Sequence, residues 1–434
     1  MTRPSRHIPS ISSVLLLAFL LIGLASRPAL AVAGDLDTTF SGDGKATVNF
    51  TASHDSAWSA AVDSSNRIVV AGEAAGSGYR FALARFNQNG TLDTTFGGDG
   101  RVLTNFTARY DGAWGVVIQA DGKIVAAGDA GIGTGNSGFA IARYNEDGTL
   151  DATFSGDGKV VLQFTTKDDP VAGVALDADG NIVVSGGAAA NGADPKLAVA
   201  RLTPNGTPDA TFSGDGKVIT NTITTGASDF ANSVVVQADG KIVAGGLSGK
   251  RFALVRYNAS GTLDTSFGGD GKVFTNFLAQ QDTIDGLAIQ SGGEIVAAGF
   301  AGGGGSNPGF ALARYDPANG ALDTSFSGDG KLITQFTTGY DAAWGVTVQE
   351  DDSIVAVGGV AGSGFRFALA RYLTNGTLDS GFSGDGKVIT NWTAREDFSR
   401  GVDIDGDGNI VVAGYAGYAQ GGNTVFAVAR YRGV

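Results

Sequence analysis

The stretch from residue 96 to residue 151, "FGGDGRVLTNFTARYDGAWGVVIQADGKIVAAGDAGIGTGNSGFAIARYNEDGTLD", contains four short apolar or alternating runs separated by turn residues. The runs are "RVLTNF", "AWGVVIQ", "KIVAAG" and "FAIARYN". An Asp-Gly pair joins the second run to the third, and glycine accepts the positive φ that a tight hairpin needs. The stretch therefore predicts four short antiparallel strands.

This unit recurs along the chain. The phenylalanine of its "LDTTF"-like phrase returns at Phe40, Phe96, Phe154, Phe212, Phe267, Phe326 and Phe382. Four strands with tight turns, repeated at a nearly constant spacing and without a helical segment, are typical of a β-propeller blade. We therefore predict an all-β, seven-bladed β-propeller with four-stranded antiparallel blades, formed by residues 32–434 as a single domain.

The two ends of the repeat array complement each other. The array begins with a first-type run, "KATVNF" at residues 45–50, and ends after a fourth-type run, "FAVARYR" at residues 426–432. If the second-type run is innermost, the last three runs lack only an outer strand, which the N-terminal run supplies. We expect this pairing to close the ring and to leave no terminal edge. The alternative, an open stack, calls for atypical capping repeats at its ends.

Residues 1–31 differ from the rest of the chain. Arg3 and Arg6 precede the apolar run "VLLLAFLLIGLA" at residues 14–25, and "ALA" follows at residues 29–31. This pattern predicts a secretory signal peptide. A membrane anchor is the alternative, but the run is shorter than the roughly 20 apolar residues that a spanning helix needs. We expect an exported protein, periplasmic or extracellular, without membrane insertion after cleavage.

Composition limits the partners. The formal net charge is −13, and it becomes more negative when the signal peptide leaves with its arginines. Such a surface repels nucleic acid, so we expect no nucleic-acid partner. An exported chain with no Cys is stabilised by packing and backbone hydrogen bonds rather than by disulfides. We expect a monomer.

The phrases "FALARFN", "GTLDTTFGGDGR" and "GVVIQADGKIV" resemble the delta-60 repeat, a repeat of bacterial exported β-propeller proteins that is distantly similar to the NHL type. The resemblance covers the whole mature chain. It implies the propeller fold and provides no catalytic motif that could be placed on these residues.

Residues that recur in every unit are best interpreted as structural, because one folding problem is solved seven times. An arginine in the "ARY" phrase recurs at Arg85, Arg143, Arg201, Arg256, Arg314, Arg371 and Arg430. We interpret it as an ion pair or turn tie within each blade. The "GDG" phrases lack the Walker spacing of a phosphate-binding loop and are interpreted as turns.

Each second-type run begins with an aspartate: Asp55, Asp111, Asp169, Asp229, Asp282, Asp341 and Asp397. If this strand lines the channel, the aspartates form a carboxylate ring at one mouth and give it negative potential. The alternative is that each aspartate caps its neighbouring turn.

Three residues beyond each aspartate, the residue type changes from blade to blade: Trp58, Trp114, Ala172, Asn232, Asp285, Trp344 and Arg400. In a closed ring, Trp344, Arg400, Trp58 and Trp114 are consecutive and form an aromatic arc. Tryptophan beside carboxylates stacks on sugar faces or holds a cation. The alternative is that large residues plug the channel or fill gaps between blades.

The chain has few residues of the types that bind metal ions or act as catalytic nucleophiles. The mature chain keeps one histidine, His54, and no Cys, which excludes a zinc site with several histidine ligands. "DIDGDG" at residues 403–408 matches the first half of a calcium loop, but the twelfth position is Gly414 where a bidentate Glu is needed. We interpret it as another hairpin and expect no metal, no cofactor and no catalytic residue.

These observations favour a non-enzymatic exported binding or scaffold propeller. Its ligand, a carbohydrate or a protein, would bind at the channel-mouth face through Trp58, Trp114, Trp344 and Arg400, with Asp55, Asp111, Asp341 and Asp397 nearby. The alternative is a propeller enzyme, a hydrolase or lyase that acts on a carbohydrate or lactone through carboxylates or a divalent cation. A passive surface scaffold without a small ligand is a third reading.

Overall fold

The computed structural model describes residues 32–76, 78–107, 109–132, 136–189, 195–222, 228–278, 281–302, 307–362, 364–393, 395–418 and 423–433. The predicted signal peptide lies outside these residues. The regular elements in the described ranges are all β-strands. This part of the chain accordingly offers no helix that is long and apolar enough to cross a membrane.

The strands form seven four-stranded antiparallel blades, which confirms the predicted fold. The innermost strands are β2 (Asp55–Val62), β6 (Asp111–Ile118), β10 (Val171–Leu176), β14 (Asp229–Val236), β18 (Asp282–Ile289), β22 (Asp341–Val348) and β26 (Glu396–Ile404). The second strands are β3 (Ile68–Ala75), β7 (Ile124–Ile132), β11 (Ile182–Ala188), β15 (Ile242–Ser248), β19 (Ile295–Ala301), β23 (Ile354–Val360) and β27 (Ile410–Tyr418). The third strands are β4 (Tyr79–Phe86), β8 (Asn136–Tyr144), β12 (Lys196–Leu202), β16 (Arg251–Tyr257), β20 (Gly309–Tyr315), β24 (Arg366–Tyr372) and β28 (Val425–Tyr431). The outermost strands are β5 (Arg101–Thr104), β9 (Lys159–Leu162), β13 (Lys217–Thr220), β17 (Lys272–Thr275), β21 (Lys331–Thr334), β25 (Lys387–Thr390) and β1 (Lys45–Val48).

The ring closes as predicted. Strand β1 pairs antiparallel with β28, from Lys45 opposite Ala429 to Val48 opposite Phe426. Each innermost strand contacts the innermost strands of the two neighbouring blades, and β26 contacts β2. The seven innermost strands, one from each blade, therefore surround a central channel.

Local sequence explains the strands and the turns between them. The second strands are rich in small and β-branched residues, and β3 is buried along its whole length because both of its faces pack against neighbouring blades. Gly100, in a "GDG" corner, has φ 86°, and a Cβ there would lie 2.8 Å from the Cβ of Leu92. Only glycine fits both the backbone angle and the space at this corner.

The recurrent arginine pairs with an aspartate of its own blade and, in blades such as that of Arg256, also bonds to the next blade. The Nε of Arg256 donates to Asp264 at 2.8 Å, and the guanidinium lies 4.4 Å from the ring centroid of Phe267. The same guanidinium also donates to the carbonyl of Pro317 in the following blade. The buried cation is thus paired, stacked and hydrogen-bonded, which confirms the structural interpretation of this residue.

Candidate binding site in the central channel

The aspartates that begin the inner strands are turn caps. Asp341 is fully buried, and its Oδ2 accepts hydrogen bonds from the backbone N–H groups of Phe336 and Thr337, both at 2.8 Å. Its Oδ1 accepts from the Thr337 hydroxyl at 2.7 Å. The other predicted site aspartates, Asp55, Asp111 and Asp397, are equally buried and accept the equivalent bonds.

The interpretation of these aspartates as a carboxylate ring at the channel mouth is therefore wrong, and the turn-capping alternative is correct. The loop before each inner strand has backbone N–H groups that no strand partner satisfies, and the aspartate turns inward to accept them. Asp55, Asp111, Asp341 and Asp397 position the strand starts and do not face the channel cavity described below.

A β-bulge displaces one residue in every inner strand. In β2, Ala57 pairs with Gly72 and Ser59 pairs with Ala71, so Trp58 has no partner residue in β3. A bulge of this kind bends a strand locally and re-aims the side chain of the extra residue. The bulged residues of the seven blades are Trp58, Trp114, Ala172, Asn232, Asp285, Trp344 and Arg400.

These seven bulged residues, here called the channel ring, line a cavity of about 220 Å³. They also border a second cavity of about 180 Å³, which is lined in addition by the residues that follow them in the inner strands. The structure brings together the four residues of the predicted aromatic arc, and the two indole rings of Trp58 and Trp114 lie 4.9 Å apart. Trp114 also packs against the core between its own blade and the next. The other ring members give the opposite side a small and polar lining.

Arg400 is held between two of the tryptophans. Its guanidinium carbon lies 4.3 Å from the ring centroid of Trp344 and 5.0 Å from that of Trp58. Both contacts are within the range of a cation–π interaction. Burial lowers the pKa of Arg400, and the nearby Asp285 opposes this effect. The cation is therefore positioned by aromatic faces rather than by a carboxylate.

Several polar atoms of the channel ring are buried without a hydrogen-bond partner. They are Nε1 of Trp58, Oδ2 of Asp285 and Nε of Arg400. The other carboxylate oxygen of Asp285 accepts a long bond of 3.3 Å from Asn232. Burial raises the pKa of Asp285 to about 7, against the opposing effect of Arg400. Buried polar groups are normally paired, so these atoms mark a place where a ligand or water is expected.

A second layer of side chains borders the channel ring on one side with acids. The Trp114 indole N–H donates to Asp129 at 2.8 Å, and Tyr110 donates to Glu73 at 2.5 Å. Burial raises the pKa of Asp129 to about 7 and also raises the pKa of Glu73. Sequence reasoning missed both acids, although each breaks the repeat at the same position of its second strand.

Aromatic rings border the other side of the channel ring. Tyr415 lies 5.6 Å from Trp58 and 5.2 Å from Phe398, and Phe398 lies 5.1 Å from Trp344. The contacts continue from Phe398 to Phe365 at 4.6 Å. The entrance is therefore divided into an acidic side and an apolar aromatic side.

The calcium-loop-like phrase at residues 403–408 is a hairpin. It connects the closing blade, formed by β26, β27, β28 and β1, to the first blade, formed by β2 to β5. Asp403 accepts the backbone N–H of Val62 at 2.8 Å, and Asp407 accepts the side-chain amide of Gln88 at 2.8 Å. Asp405 caps its own turn by accepting the N–H of Asn409 at 2.9 Å. Within the described ranges, no group of three or more His, Cys, Asp or Glu side chains is arranged to hold a metal ion.

Comparison with known proteins gives one family match. The sequence profile of the family described as "Domain of unknown function (DUF5122) beta-propeller" matches seven segments: residues 64–96, 119–154, 178–212, 237–267, 290–326, 349–382 and 406–433. Together these segments make up more than half of the chain. Among the curated proteins, none matches.

Solved structures with a similar fold are distant in sequence. A gluconolactonase from Xanthomonas campestris is 13% identical with a TM-score of 0.41, over 93% of this chain and 99% of that chain. A protein of unknown function from Dyadobacter fermentans is 13% identical with a TM-score of 0.43, over 90% and 98%. The polysaccharide lyase Uly1 is 12% identical with a TM-score of 0.47, over 87% and 90%. At these values, none of the likenesses bears on what this chain binds.

Proposed function

Since the chain belongs to the DUF5122 β-propeller family, whose description assigns no function, we propose from the site alone that it is a non-enzymatic binding propeller for carbohydrate. In this proposal, one sugar unit enters the channel and is held by the channel ring. The aromatic side of the entrance receives the apolar faces of the sugar or of its neighbouring units.

The observation that carries the proposal is the set of unpartnered polar atoms beside indole rings. Trp58 and Arg400 each offer an N–H group, and Asp285 offers a carboxyl oxygen. A sugar presents hydroxyl groups that donate and accept, together with C–H faces that pack on aromatic rings. This combination satisfies all three atoms at once, whereas an apolar ligand would leave them unsatisfied at a cost in free energy.

The size of the cavity restricts the ligand. The cavity that the channel ring alone lines has a volume of about 220 Å³, below the roughly 300–1,000 Å³ of pockets that enclose drug-sized ligands. The channel ring therefore takes a single sugar unit or the end of a longer saccharide. Any further units would lie against the entrance, where Phe398 and Tyr415 are located.

The test is a glycan-array screen followed by titration of each hit against the protein and its Trp58→Phe variant. Phenylalanine keeps an aromatic face but removes the Nε1 donor. Because a single hydrogen bond contributes about 0.5–1.5 kcal/mol, we expect binding to weaken about two- to tenfold. An array without a hit, or a hit that Trp58→Phe binds as tightly, would contradict the proposal.

Trp392 supplies a matched control. It too has a buried Nε1 without a partner, but it packs against Phe367 and Lys45 at the outer part of a blade. The equivalent residue is phenylalanine in five of the other six blades, as at Phe50 and Phe336. We expect the Trp392→Phe variant to bind every hit as the unchanged protein does.

A second candidate, an enzyme that acts on a lactone or glycoside, is favoured by one observation. Asp285 lies in the cavity with a pKa raised to about 7, which suits a general acid or base near neutral pH. If this candidate is correct, the hits of the screen will be turned over, and Asp285→Asn will abolish turnover although the variant still binds them more weakly. In a protein that only binds the sugar, the same substitution changes affinity alone.

A further inference from the structure

Arg400 differs from every recurrent arginine in the chain. The guanidinium of Arg256, for example, donates to Asp264, to Ser266 and to backbone carbonyls of the next blade. Across the described residues, the side chain of Arg400 makes no hydrogen bond and no ion pair within 4.0 Å, and its Nε is buried and unpartnered. A guanidinium has five N–H donors in a planar fork, so this fork is unused by the protein.

The surroundings hold the fork in place without satisfying it. The rings of Trp344 and Trp58 flank the guanidinium at 4.3 and 5.0 Å. Indole rings attract the cation, but they leave its N–H groups without strong acceptors. The tryptophans therefore fix the orientation of Arg400, and a ligand that completes the fork does not have to order it first.

Other polar groups around the same cavity are also donors. Nε1 of Trp58 is a donor with no partner, whereas the amide of Asn232 is already used within the protein, donating to the backbone carbonyl of Ile284 at 2.7 Å. Below neutral pH, Asp285 keeps its proton and adds an O–H donor. A cavity with surplus donors and a cation favours an anion over a neutral hydroxyl group, although the chain as a whole is acidic.

We propose that the channel ring recognises the carboxylate of an acidic sugar, such as a uronic acid, through the unpartnered N–H groups of Arg400 and Trp58. This inference rests on the proposed carbohydrate function and narrows its ligand class. A carboxylate matches the guanidinium fork because two coplanar oxygens accept two parallel N–H bonds.

The experiment compares glucuronate with glucuronamide at pH 6, by titration followed through tryptophan fluorescence and ligand NMR. The amide is a neutral ligand of nearly the same shape. We expect glucuronate to bind at least tenfold more tightly, because hydrogen bonds to charged groups are the stronger ones. Glucose 6-sulfate is a third ligand, and tighter binding of this sulfate than of glucuronate would overturn the assignment to a carboxylate.

Arg400→Met is the test variant, because methionine keeps part of the apolar stem and removes the charge. We expect it to bind glucuronate and glucuronamide equally. Arg395→Met is the control, since Arg395 is an exposed residue on the loop before β26 and its removal also deletes one positive charge. We expect this control to retain the tenfold preference, and a melting-temperature measurement on both variants establishes that they are folded.

The outcomes separate the inference from the proposed function. If glucose and glucuronamide bind as tightly as glucuronate, and Arg400→Met changes nothing, the inference fails while carbohydrate binding stands. If no saccharide binds the unchanged protein, the proposed function and the inference fail together. A loss of preference in Arg395→Met equal to that in Arg400→Met would assign the effect to general charge and would also overturn the inference.

Discussion

At the scale of single residues, the channel ring contains a buried acid, Asp285, whose ionisation lowers the stability of the folded state. The carboxyl of Asp285 lies in the cavity with one oxygen unpartnered, and burial raises its pKa to about 7. Asp341, which caps an inner strand, contrasts with it because its carboxylate accepts three hydrogen bonds. The same residue type thus stabilises the fold at one position and lines the cavity at the position three residues further along.

We predict that Asp285→Asn stabilises the protein at pH 8 but has little effect at pH 4.5. Between the unfolded pKa near 4 and the folded pKa near 7, the folded state holds a proton that the unfolded chain releases. The stability from this group is therefore complete at low pH and is lost as pH rises through 7. The difference between the two proteins reaches at most about 4 kcal/mol, and water in the channel will reduce it.

Melting temperatures of both proteins at the two pH values test this prediction. Asp129, whose pKa is also raised to about 7, contributes a background slope that both proteins share. An equal difference in melting temperature at pH 4.5 and pH 8 would show that Asp285 is ionised in the folded protein throughout this range.

At the scale of elements, the bulge in each inner strand requires a glycine in the facing second strand. A Cβ on Gly186 would lie 2.1 Å from the carbonyl oxygen of Pro170, whereas a Cβ on Gly187 would meet side chains, the ring of Phe230 at 2.7 Å and the Cβ of Pro195 at 3.3 Å. The position equivalent to Gly187 holds larger residues in other blades, as at Leu247 and Phe300. The bulge thus constrains one of two adjacent glycines and leaves the other free to vary.

We predict that Gly186→Ala lowers the free energy of unfolding by about 3 kcal/mol or more, because its Cβ strikes backbone that cannot move without breaking the sheet. Gly187→Ala is the matched control, and we expect it to change stability by about 1 kcal/mol or less, since a side chain can rotate away. Urea titration of both variants checks the prediction. Equal losses would mean that the strand shifts to accommodate either methyl group.

Sequence reasoning predicted the elements better than the orientation of side chains. Strands, turns and blade number follow from local patterns that repeat, and the same counting placed Trp58 and Arg400 in one ring. It could not decide how Asp55 faces, because a channel-lining and a turn-capping aspartate occupy the same position in sequence. The bulge and the missing partners of Arg400 depend on pairing between strands. Glu73 and Asp129 could have been found in the same way, by comparing the residue types at one position of the second strands across the seven blades.

At the scale of the whole molecule, one blade is built from both ends of the described chain. Strand β1 completes the sheet of β26, β27 and β28, and Arg430 of that blade pairs with Asp37 at 2.7 Å. The hairpin at residues 403–408 adds further bonds to the first blade through Val62 and Gln88. The pairing of β1 with β28, here called the seam, therefore depends on contacts between the most distant parts of the described sequence.

We predict that a disulfide across this seam stabilises the protein more than an equivalent one elsewhere. Thr47 lies opposite Ala427 in the closing blade, and Ile389 occupies the equivalent place opposite Ala368 in the preceding blade. In the chain-entropy model, a Cys pair at the seam closes a loop of roughly 380 residues and contributes about 6 kcal/mol, against about 3 kcal/mol for a loop of roughly 20.

The measurement is the difference in melting temperature between oxidised and reduced forms of the Thr47→Cys, Ala427→Cys variant and of the Ala368→Cys, Ile389→Cys variant. The natural chain has no Cys, so each variant forms only the intended bond. A gain at the seam no larger than in the control pair would show that opening the ring does not limit thermal stability.

The shared blade also imposes a waiting time on the newly made chain. Strand β1 pairs with a strand that is synthesised roughly 380 residues later, which takes about 20–80 s at 5–20 residues per second. During this interval β1 has no native partner. Its sequence resembles those of the other outer strands, such as "KVIT" at residues 217–220 and 387–390, so β1 can take the place of an outer strand in another blade. Mispairing in the nascent chain is therefore the characteristic hazard of this architecture, and a slow final step of folding is its expected kinetic signature.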